Sequence, residues 1–362
     1  MRRFITTALA TGLGAALTVA SAASASVSKT IVVGPGQSIQ AAVNQANPGD
    51  TVLIKAGVYH QTVQIRKDGI TLRGSGDFPG GTVLEPPASP PKTLCNQAFG
   101  TTGVCILAKR VNLQTGEVIT PVTHDTVTAL MVTGMPGSGV FGYGTDNLVV
   151  TRVTALNDGE YGISRFESTD SVFANDTAIG NDEAGFYVGD SPLAYSVVRD
   201  SRASGNLFGI FIRHARHVTV QGNHLQGNCQ GVIVLDDGEP GGAGNATIEH
   251  NSINSNNKLC PASEDAPPLQ GGGILLLGAT RTLVAGNSVA GNTGNKFNSG
   301  GIVVASAKPL TGGTGSDPNF DTIARNTAYR DHPADLLWDG TGTGVTFTGN
   351  HCSTSLPAGL CH

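Results

Sequence analysis

Glu167, Asp190, His214 and Asp236 recur one sequence repeat apart, with Arg213 and Asp237 beside the last two. Only 14% of the chain is charged, so ionisable groups at regular spacing stand out as candidate catalytic residues. One chemistry is proton abstraction next to a carboxylate: His214 takes the proton. Arg213, or a Ca²⁺ held by the aspartates, then neutralises the carboxylate. That would be β-elimination or epimerisation of a uronic acid. A second chemistry is inverting glycoside hydrolysis. Asp190 and Asp236 would stand about 9–10 Å apart on a stacked sheet, against the roughly 6.5–9.5 Å that mechanism requires. The plain alternative is a set of turn residues at strand ends, where Asp, Glu and His are common. The run Arg213–His217 is the most basic segment. It could hold an anionic sugar, or a metal through His214 and His217.

Just before this row lies a set of aromatic residues. Counting from the apolar residue of each unit (Val140, Ile163, Phe186, Ile210, Val232), the outward positions include Phe141, Tyr143, Phe166, Tyr187 and Phe211. In a chain with 5% aromatics, five on one stripe suggest a platform on which sugar rings stack. The competing expectation is a stripe covered by a folded-back loop, with Asn256–Gln270 as the candidate cover.

Both sets are placed by a repeat. One ladder reads Asp176, Ser201, Asn223, Asn251, Asn287, Asn326 and Asn350. Five residues after each of the first six stands a member of a second: Asn181, Asn206, Asn228, Asn256, Asn292 and Asp331. One unit earlier the pair is read as Arg152 and Asn157. An apolar residue precedes each first-ladder member by three, and small-then-apolar pairs such as Gly185-Phe186 and Gly209-Ile210 follow the second ladder. Fixed positions with elastic gaps are the mark of a solenoid. The apolar runs are too short for helices but long enough for strands. Asn is expected to take the left-handed corner conformation, and stacked corner amides about 4.8 Å apart can bond to one another.

This pattern resembles the right-handed parallel β-helix repeat of the pectin-lyase-like superfamily. The opening Gly36-Gln37-Ser38-Ile39-Gln40-Ala41-Ala42, then Pro48-Gly49-Asp50-Thr51-Val52 and Ala56-Gly57-Val58-Tyr59, is similar to the start of many such proteins. The resemblance implies an all-β, three-sheet solenoid of about ten coils, with its substrate groove on the sheet carrying the Gly-apolar pairs. Within it, Tyr161-Gly162-Ile163-Ser164-Arg165-Phe166-Glu167 resembles the Tyr-Gly-Phe-Asp-Pro-His-Glu motif of mannuronan epimerases in frame. Ser164 and Phe166 stand where that family has its catalytic Asp and His. Asp236-Asp237 is similar to the paired Asp of polygalacturonases, without the Gly-His-Gly that should follow.

The ends and the cysteines set the compartment. Arg2 and Arg3, an apolar stretch to Ala20, and Ala23-Ser24-Ala25 read as a secretory signal over residues 1–25, leaving one domain over 26–362. Six cysteines in an exported chain imply disulfides. Cys229 and Cys260 follow the same ladder on neighbouring rungs and should pair. Cys95 with Cys105, and Cys352 with Cys361, would close short loops. Ser38 should cap a helix within about 36–47 that plugs the first coil. The C-terminal loop 352–361 should cover the last coil, because raw sheet edges need covers. The segment Asp77–Gly103, with five prolines, reads as a surface loop. A formal net charge of −5 excludes a general basic field for nucleic acid. The expected partner is a polysaccharide or cell-surface glycan, and the expected state a secreted, extracellular monomer without membrane insertion. Function divides between a carbohydrate-active enzyme, a non-catalytic glycan-binding β-helix and a plain scaffold.

Overall fold

The computed structural model describes residues 28–262 and 267–361. The signal read over residues 1–25 lies outside them. Each coil contributes three short strands to three faces of a parallel β-helix. Val172–Ala174, Ser196–Arg199 and Val218–Gln221 stack on the first face, and Thr177–Ile179, Arg202–Ser204 and His224–Gln226 on the second. Ala184–Ser191, Phe208–Ala215 and Gln230–Leu235 stack on the third. Among the described residues this third face is an 11-stranded sheet, running from Val63–Ile65 to Ser355–Leu356. The first two faces form one hydrogen-bonded set of 20 strands, because Thr126–Thr133 and Val149–Leu156 turn the corner between them unbroken. The interior is Val, Ile, Leu and Phe, with Ile163, Phe186, Ile210, Val232, Ile274 and Ile302 fully buried on successive rungs. The glycine before each of these is a packing requirement. A Cβ at Gly209 would lie 2.6 Å from the Gly231 carbonyl oxygen and 3.1 Å from Asn228 Nδ2.

Both ladders are continuous. In the first, each backbone N–H from Asp176 to Asn326 donates to the side-chain oxygen of the next member, down to Asn350. The second runs from Asn181 to Asp331 in the same way. Two expectations need correction. The left-handed residue is the one before each ladder member: Asn175, Asp200, His250 and Arg325 in the first, Gly180, Gly205, Ser255 and Arg330 in the second. The bend sits there so that the following Asn can point inward and bond along the axis. For the same reason, the unit above enters the ladders through Val153 and Asp158, not Arg152 and Asn157, which take the left-handed bends.

Both ends are covered. Ser38 Oγ accepts the Ala41 N–H at 3.1 Å and caps a helix, Ile39–Gln45, whose Ile39, Ala42 and Val43 are buried on the first coil. At the other end Cys352 pairs with Cys361, Cα atoms 5.2 Å apart. Cys229 pairs with Cys260 at a Cα separation of 6.0 Å, and Cys95 with Cys105 at 6.4 Å. The segment Asp77–Gly103 is more ordered than its prolines suggested. It holds a strand, Thr82–Glu85, and a helix, Leu94–Phe99, which the Cys95–Cys105 bond ties to the third face. Among the described residues no helix is long and apolar enough to cross a membrane.

Where a carboxylate replaces the amide, the ladder is incomplete. Asp158 Oδ1 accepts the Met135 N–H at 2.9 Å, while its Oδ2 is buried without a partner. Burial pushes the Asp158 carboxyl up to about 8, against the lowering effect of the Met135 hydrogen bond. A raised folded-state value means the proton favours folding. This contribution is complete below the unfolded value near 3.8 and is lost as pH climbs through about 8. Asp158→Asn would supply an amide hydrogen to Asn181 Oδ1, as Asn181 does to Asn206. We therefore expect Asp158→Asn to raise stability at pH 9 by about 1–3 kcal/mol. The gain should shrink towards zero at pH 5, where the wild-type carboxyl carries its own hydrogen. Thermal scans of both proteins at the two pH values test this.

Candidate active site

The ionisable row lies where the third-face strands end. Glu167, Asp190 and His214 occupy the left-handed corner on successive rungs, with φ of 47°, 49° and 48°. His214 lies between two carboxylates. Its Nδ1 is 2.7 Å from Asp190 Oδ1, and its Nε2 is 2.5 Å from Asp237 Oδ1. Asp237 Oδ2 also accepts from Arg213 Nε at 2.8 Å and Arg213 Nη2 at 2.7 Å. The hydrogen bond to Asp190, outweighing burial, and that to Asp237 hold the His214 imidazole above its ordinary value. Although burial opposes it, donation from His214 and Arg213 holds the Asp237 carboxyl below the usual range. The cluster is thus a linear charge relay, Asp190–His214–Asp237–Arg213, ending at a guanidinium.

The structure gathers four of the six candidate catalytic residues and leaves two aside. Asp236 falls in line with His214 on the next rung by register, but the chain turns there. Its Oδ1 accepts the Gly238 N–H at 3.1 Å, and its backbone carbonyl is bonded by Ser316. The turn brings Asp237, one residue on, to His214. Glu167 stands exposed one rung above Asp190. Asp190 and Asp236 therefore do not face each other across an open site. Among the described residues no group of three or more His, Cys, Asp or Glu is arranged to hold a metal ion. His217, considered as a metal ligand with His214, stacks on Tyr195 at 4.6 Å instead.

The aromatic stripe is a packed layer, which corrects the expectation of an open platform. Phe141, Tyr187 and Phe211 are 5%, 2% and 5% exposed. Phe99, from the helix Leu94–Phe99, lies on Phe141 and Tyr143. Tyr161 lies on Phe166 and Tyr187, and Phe208 on Phe211. From the candidate cover, Cys260 and Leu269 pack into the apolar layer that includes Tyr187, Phe211, Ile233 and Leu275.

A cleft of about 640 Å³ opens over that layer. Its lining includes Phe211, Ile233, Leu235 and Leu277, with walls that include Leu269, Phe297 and Leu310. Phe208 and Arg213 are five residues apart on one strand, so the cleft runs about 16 Å along it. At the Phe208 end stand Tyr161, Asp182 and Glu183, and at the other Arg213, Asp237 and Glu239. Glu183 is hydrogen-bonded to the Tyr161 hydroxyl; burial, foremost, and the charge of Glu183 push the Tyr161 phenol up, keeping it neutral. Of the candidate catalytic and stacking residues singled out from sequence, Phe211, Arg213 and Asp237 line this cleft, and Tyr161 of the epimerase-like frame joins them. Asp182, Glu183, Phe208, Gln230 and Glu239 were missed. The first two directly follow ladder residue Asn181, a signal that counting only forward from the apolar position passes over.

The model of the right-handed β-helix region matches residues 102–240 and 138–310, together more than half of the chain. The chain belongs to this family. No curated protein matches it by sequence. Among solved structures, the right-handed β-helix is shared with the A-module of mannuronan C-5 epimerase AlgE6 from Azotobacter vinelandii. The identity is 19% and the TM-score 0.57, over 88% of this chain and 89% of that one. An alginate lyase from a Paenibacillus species is similar at 15% identity and TM-score 0.54, over 87% of this chain and 99% of that one. DFA-IIIase from Arthrobacter chlorophenolicus is similar at 11% identity and TM-score 0.55, over 85% and 77%. At these identities the likeness is one of fold. Within this β-helix the epimerase-like frame keeps Tyr161, but Ser164 is fully buried, with its Oγ 3.4 Å from the Val140 carbonyl.

Proposed function

We propose that this β-helix is an exported carbohydrate-active enzyme that hydrolyses a neutral polysaccharide laid along the third-face cleft. The observation that carries this reading is the cleft's composition. It joins an apolar, aromatic floor to carboxylates from Asp182, Glu183, Asp237 and Glu239, against a lining guanidinium, Arg213, that Asp237 already engages. An excess of carboxylates repels a polyuronate and suits general acid–base work on a glycosidic bond. Glu183, oriented by Tyr161, is the proposed base that activates water, with Asp182 at the same end of the cleft as the acid. The Asp190–His214–Asp237 relay then serves to hold Arg213 at the cleft end. Fold neighbours whose names include a lyase and an epimerase of alginate support a glycan as the class of partner. Three disulfides accord with an exported protein.

The uronate lyase or epimerase reading is favoured by one observation, the placement of Arg213 in the cleft, where it could meet a carboxylate. Against it, both His214 nitrogens are engaged by carboxylates, so the imidazole has no lone pair for carbon deprotonation. Incubation with xylan, mannan, β-glucan, inulin, pectate and alginate separates the two. New reducing ends from a neutral polymer are expected. Unsaturated uronate products from pectate or alginate would replace hydrolysis with elimination. Retention by one polymer in an affinity gel without any product would reduce the protein to a binding module.

A further inference from the structure

We infer that the side-chain amide of Gln230, with that of Asn298 in the lining of the same cleft, forms a sugar-recognition subsite that reads a vicinal pair of hydroxyls. This rests on the reading of the cleft as a glycan site and names the residues that select the glycan. Gln230 is 1% exposed, yet both its Oε1 and its Nε2 are buried without a hydrogen-bond partner. Buried amides in folded proteins are bonded almost without exception, and an orphan of both polarities in a cleft wall signals a partner that arrives from outside. Asn298 Nδ2, in the loop before the strand Gly300–Ala305, is orphaned in the same way. Both residues line the cleft.

The backbone makes room for this amide. Gln230 pairs with Phe208 on one side and Gly272 on the other. A Cβ at Gly272 would press on Gln230 Cγ and Cδ at 3.2 Å. The glycine therefore lets the Gln230 side chain lie across the sheet over the neighbouring rung. The chemistry of the amide then selects the ligand. Oε1 must receive a hydrogen and Nε2 must give one. Two adjacent sugar hydroxyls offer one of each. A carboxylate or sulfate offers acceptors alone and would leave Oε1 unpaired. Gln230 thus reads ring hydroxyls, which neutral and acidic sugars share, and the preference for a neutral glycan comes from the carboxylates of the cleft.

The test is calorimetric titration of wild type, Gln230→Leu and Gln230→Met with xylo-, manno-, cello- and inulo-hexasaccharides, with thermal scans of all three proteins. For the hexasaccharide that wild type binds, both variants should bind about 10- to 100-fold more weakly. Their melting temperatures should be equal to or above that of wild type, since an unpaired buried amide is removed. Two results would overturn the inference: undiminished affinity in the variants, or a lowered melting temperature with affinity retained, which would make the amide structural. Either leaves the cleft reading standing. Failure of wild type to bind any of the four would instead remove the cleft reading, and this subsite with it.

Discussion

Asn251→Leu is expected to lower the free energy of unfolding by about 3–5 kcal/mol, at the high end for a single substitution. The size follows from how many groups one amide serves. Asn251 Oδ1 accepts from both the backbone N–H and the Nδ2 of Asn223, at 2.9 and 3.0 Å. Its own Nδ2 donates to the Val220 and Glu249 carbonyls and to Asn287 Oδ1. At 2% exposure, water cannot replace these partners. Leucine is close in size but leaves donors and acceptors on three rungs unpaired. His224→Ala, at an exposed position directly after ladder member Asn223, should fall within about 0.5 kcal/mol of wild type. Urea unfolding of the three proteins gives the comparison. Equal midpoints for Asn251→Leu and wild type would mean that the ladder carries no load.

Glu183→Gln is expected to reduce hydrolysis by about 10²- to 10⁴-fold, the usual range for removing a positioned base. Glutamine preserves size and can still accept from Tyr161, so folding and glycan affinity should persist. Tyr161→Phe should cost less in rate, because it loosens the carboxylate without deleting it. His214→Gln should act differently again: it disconnects Asp190 from Asp237 and frees Arg213 from its fixed position, raising KM more than it lowers kcat. If instead His214→Gln abolished turnover while Glu183→Gln left it intact, the chemistry would belong to the relay and the hydrolytic assignment would fall.

Several features were legible in the chain because they repeat. The ladders, the glycine before each inward apolar residue and the pairing of Cys229 with Cys260 all follow from register, and register is local information read many times over. The left-handed corner was misplaced by one residue because a ladder Asn and its bend are adjacent, and composition cannot distinguish them. Arg165 drew no expectation from the sequence, for a different reason. A pattern of alternation puts it inward, and it is indeed 0% exposed. Its guanidinium is accommodated only because Ser191 and Ser196, from the next coil, and the Ser168 and Ala194 carbonyls converge on it.

By itself the sequence determined a parallel β-helix, the inward and outward sense of each strand, the disulfide partners and the neighbourhood of Asp190, His214 and Arg213. Each of these depends on spacing within a repeat or between adjacent repeats, where the geometry has one solution. The tertiary structure alone decided which outward residues meet a ligand. That depends on loops of unequal length: the helix Leu94–Phe99 closes over Phe141, and Thr314 Oγ1 and the Ser316 N–H fasten the turn that swings Asp237, not Asp236, to His214. Leu269, Phe297 and Leu310 wall a cleft whose acids stand at both ends of the strand Phe208–Ala215. Such contacts join segments far apart in the sequence, 77 residues in the case of Thr314 and Asp237. No periodicity records them, because loop packing is settled by shape and burial after the coils have formed.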